Sequence, residues 1–93
     1  MIVIVVSRVP TSLRGKLTRW LLQLKAGVFV GTLTPRVRDR LWDTVCQSVR
    51  DGWAVMLFAA KTEQGFDLMT HGIAPVEFED LEGIWMAKKR FSR

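Results

Sequence analysis

Hydrophobic positions in the first third of the chain predict a strand followed by a helix. Ile2–Val6 is an unbroken β-branched run, which is typical of a central strand buried on both faces. Pro10, Thr11 and Ser12 follow, and these residue types favour the start of a helix. Apolar residues then recur at helical spacing and predict one buried stripe of Leu13, Leu17, Trp20, Leu21 and Leu24. Gly27 is placed to end this helix.

A short strand and a second helix are predicted next. Residues 28–30 are apolar and form a strand that stops at Gly31. Thr34 is a helix-capping residue, and Pro35 suits the first helical turn. Trp42 lies beside the buried face of this helix, which leaves it available for a subunit interface. The buried face itself repeats every four residues, at Val37, Leu41, Val45 and Val49.

The last forty residues predict three further strands. Residues 53–60 are strongly apolar, and residues 61–65 form a loop of hairpin length. Residues 66–71 partly alternate, as expected of a strand with one face in water. Residues 76–83 are acidic and predicted to be irregular. A last short apolar strand spans residues 84–87, and residues 88–93 form a basic tail.

The order of these elements predicts the fold class. A strand, a helix, a strand, a helix and three strands favour an α+β sandwich, with two helices on one face of a mostly antiparallel sheet. A ferredoxin-like arrangement is the natural candidate. That fold has two strands between its helices, whereas residues 28–33 have room for one strand or one bent ribbon. The chain of residues 1–93 is predicted to be a single domain.

Composition adds a basic charge and a large apolar content to this picture. Fourteen Lys and Arg stand against nine Asp and Glu, which gives a net charge of +5 and a pI near 10.2. Such a charge favours nucleic acid first and an anionic membrane surface second, although it also serves solubility alone. The hydrophobic content is 48%, with Trp20, Trp53 and Trp85 interpreted as packing residues, and it favours an oligomer because so short a chain buries little.

The cysteine content and the hydropathy of the chain indicate the cellular compartment in which the protein is expected. Cys46 is the single cysteine, which excludes an internal disulfide and is consistent with the cytoplasm. Its place beside the second helical stripe makes it a small core filler. No run approaches the roughly 20 apolar residues of a membrane-spanning helix, so no membrane partner is expected.

Catalytic and metal-binding patterns are weak in this sequence. No carboxylate stands at the end of the first strand, and Asp39 and Asp43 lie among arginines, where surface ion pairing is expected. His71 is the single histidine and is interpreted as structural or solvated. We therefore predict no catalytic residue, no metal ligand and no cofactor.

Basic residues cluster instead at the starts of both predicted helices. Arg14 and Lys16 lie in the first turns of helix one, and Arg36, Arg38 and Arg40 in those of helix two. The helix dipole disfavours cations there, so two such clusters favour an anionic ligand, with a phosphate backbone the natural one. The alternative is a solvated charged face. Because the sequence has no base-reading motif, contact with nucleic acid is expected to be with backbone and shape.

Several segments, taken in order, resemble a known family. The first strand is followed by Val9-Pro10 and residues 13–17, and then by residues 20–22 and 26–31. Further landmarks follow in order: Arg38, Trp42, the 62–66 hairpin, Gly72 and residues 80–83. Together they resemble the CRISPR-associated Cas-two family, specifically its type I-E branch, over nearly the whole chain. The 26–31 segment and the 62–66 hairpin are specific only in combination.

The resemblance implies a homodimeric adaptor for spacer acquisition. In this family a ferredoxin-like homodimer bridges two dimers of the Cas-one integrase, and duplex protospacer DNA lies across it. By position, Arg14, Lys16, Arg36 and Arg38 match the DNA-facing residues of the family. The segment 80–87 matches the strand that pairs with the integrase, which implies partner contacts by Leu81, Ile84, Trp85 and Met86.

Two departures from the family pattern bear on activity. Many members carry an acidic residue at the end of the first strand, tied to a metal-dependent nuclease, whereas this chain has Ser7 there. A serine cannot hold a divalent cation as a carboxylate does, so a scaffold without catalysis is favoured. The alternative is a metal-dependent endonuclease acting on RNA or DNA, with Mg²⁺ and with carboxylates supplied by two chains. Ser12 and Ala74-Pro75 also replace basic residues of close relatives, which shifts the expected DNA contacts toward Arg8 and the basic tail.

Overall fold

The described part of the chain contains two helices and seven strands. A computed structural model describes residues 1–73, 76–81 and 84–89, the last two segments as backbone alone. The helices are α1 (Thr11–Thr18) and α2 (Pro35–Val49). The strands are β1 (Ile2–Val6), β2 (Leu22–Lys25), β3 (Val28–Gly31), β4 (Ala54–Ala59), β5 (Phe66–His71), β6 (Val76–Leu81) and β7 (Ile84–Lys89).

Five strands form one antiparallel sheet on which both helices pack. The strand order is β2-β3-β1-β4-β5, so β1 lies at the centre with β3 and β4 on its two edges. Strands β6 and β7 form a separate antiparallel pair. The predicted α+β class and ferredoxin-like arrangement are confirmed.

The core lies between the helices and one face of the sheet. Ile4 is fully buried at the centre of β1, with Phe29 of β3 and Met56 of β4 as its register partners. Both helices contribute large apolar side chains, with Leu13, Leu17, Leu41, Trp42, Val45 and Val49 all buried in this cluster.

The opposite face of β1 is not fully covered. Because side chains alternate along a strand, Val3 and Val5 point away from the helices, and both are only half-buried. The prediction that β1 is buried on both faces is therefore wrong for the single chain. An unbroken β-branched run has two apolar faces, but the helices cover one of them.

Helix α1 is shorter than predicted. It ends at Thr18, whose hydroxyl donates to the Arg14 carbonyl at 2.8 Å, and residues 22–25 form strand β2 instead of continuing the helix. The prediction that the helical apolar stripe continues beyond Leu17 to Trp20, Leu21 and Leu24 is therefore wrong. Leu21 is still buried, but Trp20 and Leu24 are 54% and 60% exposed. Pairing of β2 with β3 satisfies the backbone of this segment in place of helical bonds.

Gly27 lies in the turn that joins β2 to β3 and is not the end of a helix. Its φ is +79°, and its carbonyl accepts a 2.8 Å hydrogen bond from the Val6 N–H. A Cβ at this position would lie 2.5 Å from the Val6 carbonyl oxygen, so a side chain is excluded. The fold thus obtains its second strand between the helices from residues that the periodicity assigned to helix one.

The two helix starts differ in their capping. At α2, Thr34 accepts a hydrogen bond from the Val37 N–H at 3.3 Å and Pro35 opens the helix, as predicted. At α1, Pro10 occupies the capping position and no side chain caps the helix. The helix begins where these residue types predicted, with Thr11 and Ser12 inside its first turn.

Two tryptophans have roles opposite to those predicted. Trp42 is 8% exposed and belongs to the core of its own chain, so it is not left for a subunit interface. Trp20, predicted to pack, stands open to solvent. Cys46 packs against the core, as predicted, and burial together with the nearby Asp43 carboxylate raises the pKa of its thiol.

The C-terminal region is more regular than predicted. Residues 76–81 form β6, whereas an irregular segment was expected, and they pair with β7 from Leu81↔Ile84 to Val76↔Lys89. Strand β7 includes residues 88 and 89 of the predicted basic tail, and residues 90–93 lie outside the described part of the chain. The segment 80–87, predicted to pair with a partner, covers the end of β6 and most of β7. Its residues 82 and 83 lie outside the described part of the chain. Neither helix in the described ranges has the length and apolarity needed to cross a membrane.

The turn at Gly27 predicts a matched pair of stability changes. Gly27→Ala is expected to lower the free energy of unfolding by about 2 kcal/mol or more, through left-handed strain and the clash with the Val6 carbonyl. Gly15→Ala, in open space on α1, is expected to raise it by about 0.5–1 kcal/mol. Urea denaturation of both variants tests this, and equal effects would contradict the role given to the turn.

Candidate nucleic-acid interface

The basic residues of α1 lie on the two sides of that helix. Arg14 and Lys16 are both exposed, and residues two positions apart in a helix point about 200° apart. Arg14 lines a pocket beside Gln23 and Gly27, near the end of β1. Lys16 instead faces α2 and lies in the last turn of α1, so its predicted place in the first turns is wrong, because the helix ends already at Thr18. The structure therefore exposes both predicted DNA contacts but does not bring them together on one small patch.

The two predicted contacts on α2 differ in their surroundings. Arg36 is exposed in the first turn. The Arg38 guanidinium lies 4.2 Å from the centroid of the Phe58 ring, and its Nε donates to an Asp39 carboxylate oxygen at 3.1 Å. Its side chain is only 21% exposed. Arg38 therefore fastens the start of α2 to β4, and its charge is partly balanced before any ligand arrives. The predicted ion pairing of Asp39 is confirmed.

A groove runs between the two helices. Its volume is about 270 Å³, and we call it the interhelical groove. Its lining residues are Lys16, Arg19, Trp20, Val37, Arg40, Leu41 and Thr44. Three of the seven are cations and none is a carboxylate. The sequence analysis did not predict this groove, because a helix that continues through Trp20 places the indole in the core. The sequence signal that could have indicated the groove is an aromatic residue directly after Arg19, which is weak by itself.

Ser7 has a structural role at the end of β1. Its hydroxyl oxygen accepts a hydrogen bond from the Trp53 N–H at 2.8 Å, and its own N–H donates to the Trp53 carbonyl at 2.9 Å. These bonds join the end of β1 to the residue that precedes β4. A neutral hydroxyl engaged in this way supplies no charge for a divalent cation.

Other groups that carry reactive chemistry are dispersed in the described part of the chain. Among the side chains that the structure describes, those of residues 1–73, no three His, Cys, Asp or Glu residues gather as a metal site would require. His71 lies with Nε2 3.4 Å from the Arg50 carbonyl, a structural contact of the kind predicted. Arg8 is exposed and lines a pocket of about 490 Å³ together with Ser12, Arg50 and the acidic Asp51.

Comparison with known protein families identifies the family of this chain. The model of a family described as CRISPR-associated protein (Cas_Cas2CT1978) matches residues 1–86. Because the match covers most of the 93 residues, the chain belongs to this CRISPR-associated, Cas2-type family. The resemblance seen in the sequence is confirmed at this level.

The different surroundings of Arg36 and Arg38 predict different effects on stability. Arg38→Met is expected to lower the free energy of unfolding by about 1 kcal/mol, because it removes the cation over the Phe58 ring. Arg36→Met, at an exposed position, is expected to change it by less than about 0.5 kcal/mol. Chemical denaturation compares the two, and an equal response would show that the Phe58 contact adds nothing.

Proposed function

We propose that this protein is a non-catalytic homodimeric scaffold for CRISPR spacer acquisition, of the type I-E branch. It bridges dimers of the Cas-one integrase in the cytoplasm and holds duplex protospacer DNA by its backbone. The observation that carries the proposal is the set of exposed cations on the two helices, Arg14, Lys16 and Arg36, in a chain that belongs to a CRISPR-associated family.

Duplex binding rests on cations that have no carboxylate partner in the described contacts. Arg14, Lys16 and Arg36 are exposed, and the single described ion pair joins Arg38 to Asp39. Exposed cations bind phosphates by displacing counterions, and this contribution does not depend on base sequence. Arg38 is expected to contribute less than the other three, because Phe58 and Asp39 already hold it.

Dimerisation is supported by the face of the sheet that the helices leave open. The strand registers place Leu22, Val30, Val3, Leu57 and Leu68 in one row across all five strands. Leu22 is 65% exposed and the other four are half-buried. An apolar row of this length needs a cover, and a second copy offers the same row in a two-fold arrangement.

Integrase binding is supported by the β6–β7 pair. Leu81 and Ile84 are register partners at the end of this pair, and residues 85 and 86 follow in β7. Because a two-stranded sheet offers an outer edge on each strand, a partner strand can add by backbone hydrogen bonds. Leu81, Ile84, Trp85 and Met86 therefore stay the proposed partner contacts.

A scaffold without catalysis is supported by the state of Ser7. The position that carries an acidic residue in many relatives is occupied here by a hydroxyl that binds the Trp53 N–H. We propose that this end of β1 keeps the sheet in place and performs no chemistry.

The duplex proposal predicts a change in salt dependence. Arg14→Gln combined with Arg36→Gln is expected to weaken duplex binding and to lower the slope of log K against log salt by about 0.9 per lost phosphate contact. Fluorescence anisotropy at several salt concentrations measures both. Lys61→Gln, an exposed cation in the β4–β5 loop, is the matched control.

Three results would contradict the duplex proposal. One is an unchanged slope in the double variant, and another is an equal loss in the Lys61 control. The third is strand cleavage by the purified protein that disappears with a chelator, which would favour the endonuclease.

The homodimer proposal predicts that a charge on the open face separates the subunits. Leu22→Glu is expected to weaken the dimer by about tenfold or more, because the carboxylate would be buried in the interface. Met69→Glu adds the same charge on the helix side of the sheet, as the register with Met56 shows, and is expected to leave the dimer intact. Light scattering after size exclusion gives the mass.

The same measurement extends to the integrase. Adding Cas-one and then duplex DNA is expected to give a larger defined complex with the parent protein and a smaller one with Leu22→Glu. A parent protein that stays monomeric and ignores both partners would overturn the scaffold proposal.

A further inference from the structure

The interhelical groove combines an apolar floor with a cationic rim. Val37 and Leu41 line it from α2, and Trp20 lines it from the residues that follow α1. Trp20 is 54% exposed, although a tryptophan in a chain of this size would ordinarily be used in the core. Lys16, Arg19 and Arg40 complete the lining, which is therefore basic and partly aromatic.

Both features are unfavourable without a ligand. An exposed indole keeps apolar area in water, and three like charges around one small groove repel one another. Nothing in the described hydrogen bonds or ion pairs places a carboxylate against Lys16, Arg19 or Arg40. A ligand that carries a flat apolar group and negative charge would relieve both conditions at once.

We propose that the interhelical groove binds an unpaired nucleotide of single-stranded nucleic acid. The base stacks on the indole of Trp20, and the flanking phosphates face Lys16, Arg19 and Arg40. An aromatic platform beside a basic groove is the general arrangement for binding single strands without sequence preference. A volume of about 270 Å³ suits one base with its sugar, because sites for whole drug-sized ligands start at about 300 Å³.

The chemistry of the groove favours an unpaired strand over a duplex. In a duplex the bases are stacked on one another, so their flat faces cannot reach Trp20. A duplex backbone would use the cations but leave the indole in water. An acidic protein segment would also carry negative charge, and it is treated below as an outcome that overturns the proposal. The inference goes beyond the proposed duplex scaffold, and Lys16 is the one residue that belongs both to the groove and to the proposed duplex contacts.

The test compares single-stranded oligothymidine with a matched abasic strand that has the same phosphates and no bases. Trp20→Leu keeps an apolar side chain but removes the stacking surface, and it is expected to weaken oligothymidine binding about tenfold. Trp20→Phe is expected to restore most of that loss. Binding of the abasic strand and of duplex DNA is expected to stay within about twofold for both variants.

The cationic rim is tested separately. Arg19→Gln with Arg40→Gln is expected to lower the salt slope for oligothymidine by about 0.7 per lost contact, whereas Lys61→Gln leaves it unchanged. With 5-fluorotryptophan incorporated, oligothymidine is expected to shift the Trp20 resonance and leave that of the buried Trp42 in place. Circular dichroism of each variant verifies that the fold is retained.

Three outcomes would overturn the inference. Oligothymidine affinity that is equal in the parent and Trp20→Leu would remove the stacking role. If Trp20→Leu lowered the affinity for the abasic strand as much as that for oligothymidine, the base would have no part in binding. A Trp20 resonance that ignores oligothymidine but shifts with the integrase would assign the groove to a protein partner. Loss of duplex binding in the Arg14 and Arg36 variant bears on the scaffold alone, because the groove test does not use those residues.

Discussion

The backbone contact between the Gly27 turn and the end of β1 organises the first half of the molecule. The Val6 N–H donates to the Gly27 carbonyl, and the absence of a Cβ allows the turn to approach so closely. This contact aligns the β2–β3 ribbon with the central strand. Because residues 22–25 are held in the sheet, α1 must end before them. The early end of α1 then leaves Trp20 outside the core.

The surface charge follows from this arrangement. If α1 continued through residue 24, Trp20 would share the apolar stripe with Leu17. Instead, the indole lines the interhelical groove together with Lys16 and Arg19, and Arg40 of α2 completes a cationic rim. The other basic side chains are divided between roles. Arg38 is held by Phe58 and Asp39, while the exposed Arg36 keeps its charge toward solvent.

The two faces of the sheet have different functions in the proposed assembly. One face packs on the helices and supplies the core around Ile4, Phe29 and Met56. The other carries an apolar row from Leu22 to Leu68, which the proposed second copy would cover. Stability of the subunit and pairing of subunits are therefore assigned to opposite sides of the same strands. The groove lies between the two helices, and Leu41 in its floor also belongs to the core.

Local patterns in the sequence determined the strand at residues 2–6, the Thr34–Pro35 helix start and the buried face of α2, because these depend on neighbouring residues. The order of the elements along the chain determined the α+β class. The exposed positions of Arg14 and Arg36 near the two helix starts and the family resemblance also followed from the sequence, whereas Lys16 lies in the last turn of α1. The tertiary structure decided where α1 ends, that Trp42 is buried and Trp20 exposed, and that Arg38 is held by Phe58. It also paired residues 76–81 with β7. These outcomes depend on partners distant in the chain: β3 for residues 22–25, β4 for Arg38 and β7 for residues 76–81. A leucine-rich segment fits a helix or a strand equally well by local pattern, and long-range backbone pairing selects between them.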